Sequence, residues 1–218
     1  MIVELLRKKY PKDTLIVITD AKDVFVNNPE EYELYKSSIG GKYNYIKGIK
    51  LLYKQRNYIS HYFKEGQKLV WLDDDIDKIT ILGNGKLNSL SSLKLFIDKA
   101  FKTCIDNNAF IWGIYPVDNH YFMRNKITTD LRYIIGAFYG TINRHSKDLV
   151  LNIEEKEDVL RTLQYYTKDK KLIRFWNVGI KTKYFGTGGM SVGRDRIKEG
   201  KIAVEVLHKK YPNLTKIK

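Results

Sequence analysis

The sequence predicts an α/β fold in a single domain, residues 1–218, in which a mostly parallel sheet is flanked by helices. Two observations predict it. Short apolar runs typical of buried strands alternate with longer segments whose apolar residues recur every three to four positions, as on one face of a helix. The 218 residues contain no internal repeat, no low-complexity tract and no Pro/Gly-rich linker, and the four prolines are scattered.

The first third of the chain is expected to contain three helices and two strands. A β-branched run predicts the first strand. Asn28 is a suitable N-cap, and the glutamates that follow it favour a helix N-terminus. The expected helices cover residues 3–10, 29–36 and 47–63, and the expected strands cover residues 14–19 and 68–72.

The rest of the chain continues the alternation of helices and strands. An amphipathic pattern predicts a helix over residues 91–107, and a second helix is expected over residues 154–168. Apolar runs predict strands over residues 110–115, within 131–143 and over 172–178. Helices placed between short buried strands are typical of a parallel sheet.

Composition excludes several classes of protein. Hydrophobic residues make up 43% and aromatic residues 13% of the chain, which is unlike a disordered protein. The longest apolar runs are too short to span a bilayer, and Met1 does not begin a basic-then-apolar signal sequence. One cysteine, Cys104, excludes an internal disulfide and a cysteine cluster for zinc. We therefore expect a cytoplasmic or host-cell protein that is not secreted.

The charge of the chain is strongly positive and unevenly distributed. The formal net charge is +14, and residues 161–218 contain 15 lysines and arginines but only 4 acidic residues. A basic end on a nearly neutral body favours a polyanionic partner, most simply nucleic acid. The alternative is a lysine-rich composition that serves solubility.

An apolar run at residues 69–72 leads directly into three carboxylates, Asp73, Asp74 and Asp75. Ligand sites of open α/β sheets lie at the carboxyl ends of strands. Adjacent carboxylates repel one another unless a cation is present, and a hard divalent cation with oxygen ligands fits this arrangement. The alternative is a solvated acidic turn.

Three other segments carry groups that suit chemistry. Glu154, Glu155, Glu157 and Asp158 lie at the start of the helix predicted over residues 154–168. Acidic residues are common at helix N-termini, and the spacing alone favours that role, but a carboxylate there can also act as a general base. Arg56 can pair with a diphosphate through its planar guanidinium group. Gly188 and Gly189 allow a backbone to approach a ligand closely, but they do not form a dinucleotide fingerprint or a P-loop.

In chain order, nine segments resemble one family. They are KGI at 47–49, QRNYI at 55–59, LDDDI at 72–76, WGIYP at 112–116, NHYFM at 119–123, IGAFYG at 135–140, EDVLRTL at 157–163, RF at 174–175 and GGM at 188–190. The series resembles the TET-associated glycosyltransferases of phages and large DNA viruses. These are relatives of the base J glucosyltransferase and share the GT-A nucleotide-sugar transferase fold, which is Rossmann-like.

The resemblance implies a role for each matched position. Asp73 and Asp75 would hold Mn²⁺ or Mg²⁺ against the donor diphosphate. Asp158, preceded by Glu157, would be the catalytic base. The donor-binding positions would be Lys47, Gly48, Arg56, Asn57 and Asp74. The acceptor-binding positions would be Trp112, Asn119, His120, Gly188 and Gly189, the last two on a flexible segment over the site.

The resemblance also implies the activity. The protein would be a metal-dependent glycosyltransferase, a hexosyl- or pentosyltransferase, that moves a sugar from a nucleoside diphosphate sugar such as a UDP-sugar. The acceptor would be a hydroxymethylated pyrimidine in DNA, for example 5-hydroxymethylcytosine, which would leave the base stack. The basic residues 161–218 would hold the phosphates of the DNA.

Other interpretations remain open from the sequence. Residues 19–24 and 29–31 resemble the metal segment of procollagen-lysine glycosyltransferase domains, which gives a competing alignment and leaves the donor nucleotide open. A first alternative keeps the enzyme and changes the acceptor to a protein or a glycan. A catalytically inactive nucleic-acid-binding module on this fold is a second alternative, and a metal-dependent nuclease is a third. The start of the chain departs from the GT-A pattern, because residues 1–10 read as a helix where that fold opens with a strand.

Overall fold

The computed structural model describes residues 23–26, 32–39, 43–73, 76–182 and 195–217. The strands in these ranges are β1 (Asp23–Val26), β2 (Asn44–Lys47), β3 (Lys68–Leu72), β4 (Ile76–Gly83), β5 (Lys86–Ser89), β6 (Ile111–Tyr115), β7 (Ile127–Thr128), β8 (Phe138–Ile142) and β9 (Ile173–Thr182). The helices are α1 (Tyr32–Ile39), α2 (Leu52–Tyr62), α3 (Leu93–Asp106), α4 (Glu157–Asp169) and α5 (Arg196–Lys210). None of these described helices is long and apolar enough to cross a membrane.

The predicted α/β class is confirmed, because a central sheet is flanked by helices. The prediction of a mostly parallel sheet is wrong. The main sheet has the strand order β3-β8-β6-β9-β4-β5, and β7 also pairs with β9. Among the described strands of this sheet, only β6 and β9 pair in parallel, and the other pairings are antiparallel. The sheet is therefore mixed.

Two features make the sheet mixed. β4 and β5 form a hairpin whose two-residue turn, Asn84 and Gly85, has positive φ angles of 51° and 73°. An Asn-Gly pair favours this turn, and a strand joined so tightly to the next must be antiparallel to it. β8 inserts between β3 and β6 and runs against both. β3 and β6 consequently run in the same direction without being neighbours.

Helices and loops cover both faces of the main sheet with separate hydrophobic clusters. On one face, Phe96 and Phe101 of α3 pack edge-on against Trp112 of β6. On the other face, Ile59 of α2 packs in a cluster with Trp71 of β3. β1 and β2 form a separate parallel pair, which joins this second cluster through buried Phe25. Burial on both faces stabilises the sheet by removing apolar area from water.

Several predicted elements lie where the sequence placed them, and others do not. α2, α3, β3, β6 and β8 fall inside their predicted ranges, while α1, α4 and β9 end later than predicted. The sequence did not predict β1, β2, the β4–β5 hairpin, β7 or α5. In α5 only Ala203 and Leu207 are buried, so its apolar periodicity is weak. The expected helix over residues 3–10 and strand over residues 14–19 lie outside the described residues.

The topology brings distant parts of the chain to one edge of the main sheet. Because β8 runs against β3 and β6, its first residues lie beside the last residues of those two strands. The amide of Asp73, which follows β3, donates to the carbonyl of Ala137, which precedes β8, over 2.9 Å. We call the residues that follow β3 and β6 and precede β8 the carboxyl edge.

Candidate active site

A buried arginine of α2 lies at the carboxyl edge. The side chain of Arg56 is 3% exposed. It donates to the hydroxyl oxygen of Tyr139 and, over 3.3 Å, to the carbonyl of Gly136. Its Nη2 also lies 3.4 Å from Glu157 Oε1 and 3.6 Å from Asp73 Oδ1. One guanidinium group therefore joins α2, the end of β3, the start of β8 and the start of α4.

The position of Arg56 depends on how α2 begins. The carboxylate of Glu154 accepts hydrogen bonds from the amides of Leu52 at 3.0 Å and Tyr53 at 3.4 Å, so it satisfies two amides that the helix leaves unpaired. Gln55, Arg56 and Ile59 form the buried side of the helix. Glu154, in the loop before α4, thus fixes the helix that presents Arg56 to the sheet.

A second buried arginine shares the partners of the first. Arg161 Nη1 donates to Glu157 Oε2 over 2.8 Å and to the Tyr139 hydroxyl over 3.0 Å. Its guanidinium carbon lies 3.7 Å from the centre of the Tyr139 ring, and Trp71 stacks on that ring with centroids 5.7 Å apart. The two arginines, Glu157 and Tyr139 therefore form one buried polar cluster.

The neighbours of Arg56 and Tyr139 set their protonation states. Burial alone would lower the pKa of Arg56, but Glu157, Tyr139 and Asp73 outweigh burial and raise it. Burial raises the pKa of Tyr139, and the two arginines only partly oppose that shift. At neutral pH a charged Arg56 therefore faces a neutral phenol, which accepts hydrogen bonds from both arginines.

Asp158 lies next to this cluster in the first turn of α4. Its Oδ2 accepts hydrogen bonds from the Tyr133 hydroxyl and, over 3.3 Å, from the Gly136 amide. Its Oδ1 accepts from the Val159 amide over 2.8 Å. Burial and the neighbouring Asp158 raise the pKa of Tyr133, so this phenol stays protonated and keeps donating. The carboxylate is thus held in one orientation.

Gly136 allows these groups to meet. A Cβ atom at this position would lie 3.2 Å from Glu157 Oε1 and 3.5 Å from Arg56 Nη2. The contact with Glu157 would be tight and the contact with Arg56 would be an ordinary van der Waals contact. The glycine lets the main chain before β8 approach both carboxylates of α4.

Only part of the predicted metal site lies in the described residues. The side chain of Asp73 is 35% exposed at the carboxyl edge. Asp74 and Asp75 lie outside the described residues. Within the described part of the chain, no group of three histidine, cysteine, aspartate or glutamate side chains is placed to hold a metal ion.

The predicted donor-binding residues do not all join the cluster. The Asn57 amide exchanges two hydrogen bonds with the main chain of Leu151, at 2.7 and 2.9 Å, and so connects α2 to the loop before α4. Gly48 lies in the turn between β2 and α2, where a Cβ atom would come within 2.5 Å of Gln55 Oε1. Lys47 Nζ lies 5.1 Å from the ring centre of Tyr32. The structure gives these residues partners within the fold.

The prediction that Trp112 lines the acceptor side is corrected by the structure. Trp112 is 0% exposed and lies in the core beneath α3, so no acceptor reaches it. Asn119 and His120 lie instead in the loop that follows β6, at the carboxyl edge. Asn119 Oδ1 accepts from the Tyr121 amide over 3.0 Å, and the exposed His120 ring packs on the Tyr121 ring. Gly188 and Gly189 lie outside the described residues.

Cationic and aromatic side chains meet in a group that we call the Trp176 cluster, which is linked to Asp158 through Tyr133. Lys126 Nζ lies 4.4 Å from the Trp176 ring centre, and the guanidinium carbons of Arg174 and Arg132 lie at 5.0 and 5.4 Å. Arg174 also lies 4.8 Å from the ring centre of Tyr115. Lys126 and Arg132 are exposed. Such pairing of rings and cations suits stacked bases and phosphates.

The basic end of the chain is not uniformly available to a partner. Arg174 is 5% exposed, and its Nη1 donates to the Tyr133 carbonyl over 2.8 Å. Arg196 donates to Glu155 over 2.9 Å. Leu207 attaches α5 to Leu160 of α4. Lys183 and Arg194 lie outside the described residues.

Sequence reasoning missed four residues around this site. Tyr139 and Arg161 lie inside the matched segments IGAFYG and EDVLRTL, but neither belongs to a charged cluster or a known binding motif that would indicate a role. Tyr133 and Trp176 were not considered. The sequence does contain one indication of Arg161. It is a charged residue on the inward face of a predicted amphipathic helix, and a charge on that face needs a buried partner.

Comparisons of the chain with protein-family models, with curated proteins and with solved structures find no match.

Proposed function

We propose that this protein is a glycosyltransferase that moves a sugar from a nucleoside diphosphate sugar, such as a UDP-sugar, to a hydroxymethylated pyrimidine in DNA. One observation carries the proposal. Residues of three separate family-like motifs, Arg56, Asp73 and the pair Glu157–Asp158, meet at the carboxyl edge. A shared site requires that motifs so distant in the chain converge, and this convergence supports the proposal.

A GT-A type of fold is part of the same proposal. β3, β6 and β9 run in one direction, and ligand sites of open α/β sheets lie beyond the carboxyl ends of such strands. Asp73 follows β3 at that edge. The antiparallel β8 between β3 and β6 brings Gly136 to the same place.

The donor chemistry fits a hard divalent cation, Mn²⁺ or Mg²⁺. Asp73 offers a partly exposed carboxylate at the carboxyl edge, and Asp75 would supply the second one. When bound, the metal would neutralise the charge that develops on the departing diphosphate. Arg56 would add a fixed positive charge on the same side, since Asp73 lies 3.6 Å from it.

Asp158 would accept the proton of the acceptor hydroxyl. A bond forms between the acceptor oxygen and the anomeric carbon, the bond from that carbon to the phosphate oxygen breaks, and the proton passes to Asp158. Its carboxylate is oriented by Gly136 and Val159 amides. Glu157 suits this role less, because it is buried between two arginines.

The Trp176 cluster would guide the acceptor. Arg174 links this cluster to the proposed catalytic base, Asp158. Arg174 Nη1 donates to the carbonyl of Tyr133, and the hydroxyl of Tyr133 donates to Asp158. A base lifted from the duplex could stack on exposed aromatic rings of this surface, such as Tyr121, which is 72% exposed. Lys126 and Arg132 would contact phosphates.

The test is a transfer assay with purified protein, Mn²⁺ and a panel of sugar nucleotides. The acceptors are a 5-hydroxymethylated duplex, the matched unmodified duplex, and a hydroxylysine peptide. We expect a mass increase of one sugar on the modified duplex alone, lost on adding EDTA. Transfer to the peptide alone would establish the protein or glycan alternative. DNA binding without transfer or donor hydrolysis would establish the inactive binding module.

A further inference from the structure

We infer that a second pocket, separate from the carboxylates of the candidate active site, binds a phosphate-like oxyanion. A cavity of about 40 Å³ lies between α2, α4 and the sheet face that carries Trp71 and Tyr139. Its walls include three arginines, Arg56, Arg144 and Arg161, but not Asp73, Glu157 or Asp158.

The unpartnered polar atoms around this cavity are all hydrogen-bond donors. Among the described residues that line it, the buried polar side-chain atoms without a hydrogen-bond partner are Nε of Arg56, Nε of Arg144, and Nε and Nη2 of Arg161. The side chains of Arg56 and Arg161 are only 3% and 5% exposed. A buried donor that is left unpaired has lost its hydrogen bonds to water without replacing them, which destabilises the folded chain.

An acceptor-only guest fits such a lining better than water does. A water molecule accepts two hydrogen bonds but brings two hydrogens that need acceptors of their own. An oxyanion accepts at every oxygen and donates nothing. Planar guanidinium groups match the geometry of phosphate in particular.

The local charge also favours an anion. Arg56 and Arg161 share one close carboxylate, Glu157, at 3.4 and 2.8 Å. Arg144 is paired with Asp169 over two bonds of 2.8 and 2.7 Å. Three guanidinium groups thus have two close carboxylates, and a third, Asp73, lies 3.6 Å from Arg56 and outside the cavity wall.

The cavity has the size and access that an oxyanion needs. A water molecule requires roughly 10–15 Å³ of cavity volume. The cavity of about 40 Å³ therefore holds the equivalent of about three oxygen atoms. The lining continues through Ser60 and Ser146 to the exposed residues His61 and Val150, which form its outer part. An anion can therefore enter from solvent and reach the two buried arginines.

The test is isothermal titration calorimetry of the full chain with inorganic phosphate, at constant ionic strength maintained with chloride. Ser146→Asp places a negative charge on the cavity wall at the residue before the 3-10 turn, where aspartate is well tolerated. Ser146→Asn is its neutral match in size. We expect saturable binding by the parent and by Ser146→Asn, and a roughly tenfold loss of affinity in Ser146→Asp.

A second variant probes the buried donors directly. Arg161→Lys keeps a charge beside Glu157 but removes the two unpartnered donor atoms, so phosphate affinity should fall at least several-fold while the melting temperature shows that the variant is folded. Absence of saturable phosphate binding in the parent would overturn the inference and leave the cavity to water. Equal affinity in Ser146→Asp and Ser146→Asn would place the anion elsewhere and overturn it too.

Discussion

The hydroxyl group of Tyr133 donates its hydrogen to Oδ2 of Asp158. The proposed base therefore already holds a hydroxyl in the position that an acceptor alcohol must take to give up its proton. The same tyrosine accepts a hydrogen bond from Arg174 at its carbonyl, at 2.8 Å. A single residue thus connects the proposed base to the proposed acceptor surface.

Tyr133→Phe should improve acceptor binding. Removing the hydroxyl ends its competition with the acceptor for Asp158, and one hydrogen bond is worth about 1 kcal/mol, so the KM for the acceptor should fall roughly fivefold. The KM for the sugar nucleotide should not change. Steady-state kinetics on the modified duplex measure both, with Tyr62→Phe, an exposed tyrosine at the end of α2, as the control. A large loss of kcat would instead make Tyr133 necessary for orienting Asp158.

Asp158 and Glu157 should respond differently to neutralisation. Asp158→Asn should keep donor binding and the melting temperature but lose transfer, because an amide does not accept the proton. Glu157→Gln should lower the free energy of unfolding by about 3 kcal/mol or more, because it leaves two buried arginines without their shared carboxylate. Activity and thermal unfolding are measured on both variants. Transfer at the parent rate by Asp158→Asn would remove Asp158 as the base.

The metal proposal concerns Asp73 and Asp75. Asp75→Ala should abolish Mn²⁺-dependent binding of the sugar nucleotide and transfer, because a cation held by a single remaining carboxylate binds weakly. Asp77→Ala, an exposed position on β4, is the matched control and should retain both. Thermal shift with and without Mn²⁺ and donor provides the readout. Unchanged metal-dependent stabilisation in Asp75→Ala would rule out this site.

The sequence predicted the local elements better than the sheet that they build. The apolar periods of α2, α3 and α4 depend on nearby residues, so they are visible in the sequence. Strand pairing is decided by contacts between distant segments, and β8 lies between β3 and β6 although it follows both in the chain. The antiparallel β4–β5 hairpin was readable from Asn84-Gly85, and that signal was overlooked.

The candidate site was predicted in part for the same reason. Arg56, Asp73, Glu157 and Asp158 stand in short motifs, and the structure brings them together. Trp112 also stands in a motif, but a tryptophan next to glycine in a strand is as compatible with a core as with a ligand surface, and here it is core. The contact between Arg161 and Tyr139 forms only when α4 packs on β8, so the sequence does not show that these two residues meet.

Burial of Tyr165 predicts a loss of stability at alkaline pH. Burial raises the pKa of Tyr165 from 10.0 to about 12. The unfolded chain releases the proton of the Tyr165 hydroxyl near pH 10, and the folded chain releases it only near pH 12. The contribution of the protonated hydroxyl to the free energy of unfolding is therefore complete below pH 10 and is lost as pH rises through 12. The loss should be about 3 kcal/mol, at 1.36 kcal/mol for each unit of pKa difference. Urea unfolding of Tyr165→Phe should show a weaker pH dependence, whereas the exposed control Tyr121→Phe should follow the parent.

The last prediction separates two possible DNA surfaces. Lys126 and Arg132 are exposed at the Trp176 cluster, which Arg174 and Tyr133 link to Asp158. Lys209 and Lys210 are exposed at the end of α5. The logarithm of DNA affinity falls linearly with the logarithm of the salt concentration. Each contact between a cation and a phosphate of duplex DNA makes that slope steeper by about 0.9. If the Trp176 cluster holds the acceptor, Lys126→Ala/Arg132→Ala should flatten the salt dependence by up to about 2 and raise the acceptor KM. Hydrolysis of the free donor should not change, since both cations lie outside the buried polar cluster of Arg56, Arg161, Glu157 and Tyr139.

Lys209→Ala/Lys210→Ala removes the same charge and serves as the matched control. A larger effect of the α5 pair would show that DNA lies along the basic end of the chain, as the uneven charge of residues 161–218 predicts, and would remove the Trp176 cluster as the acceptor surface.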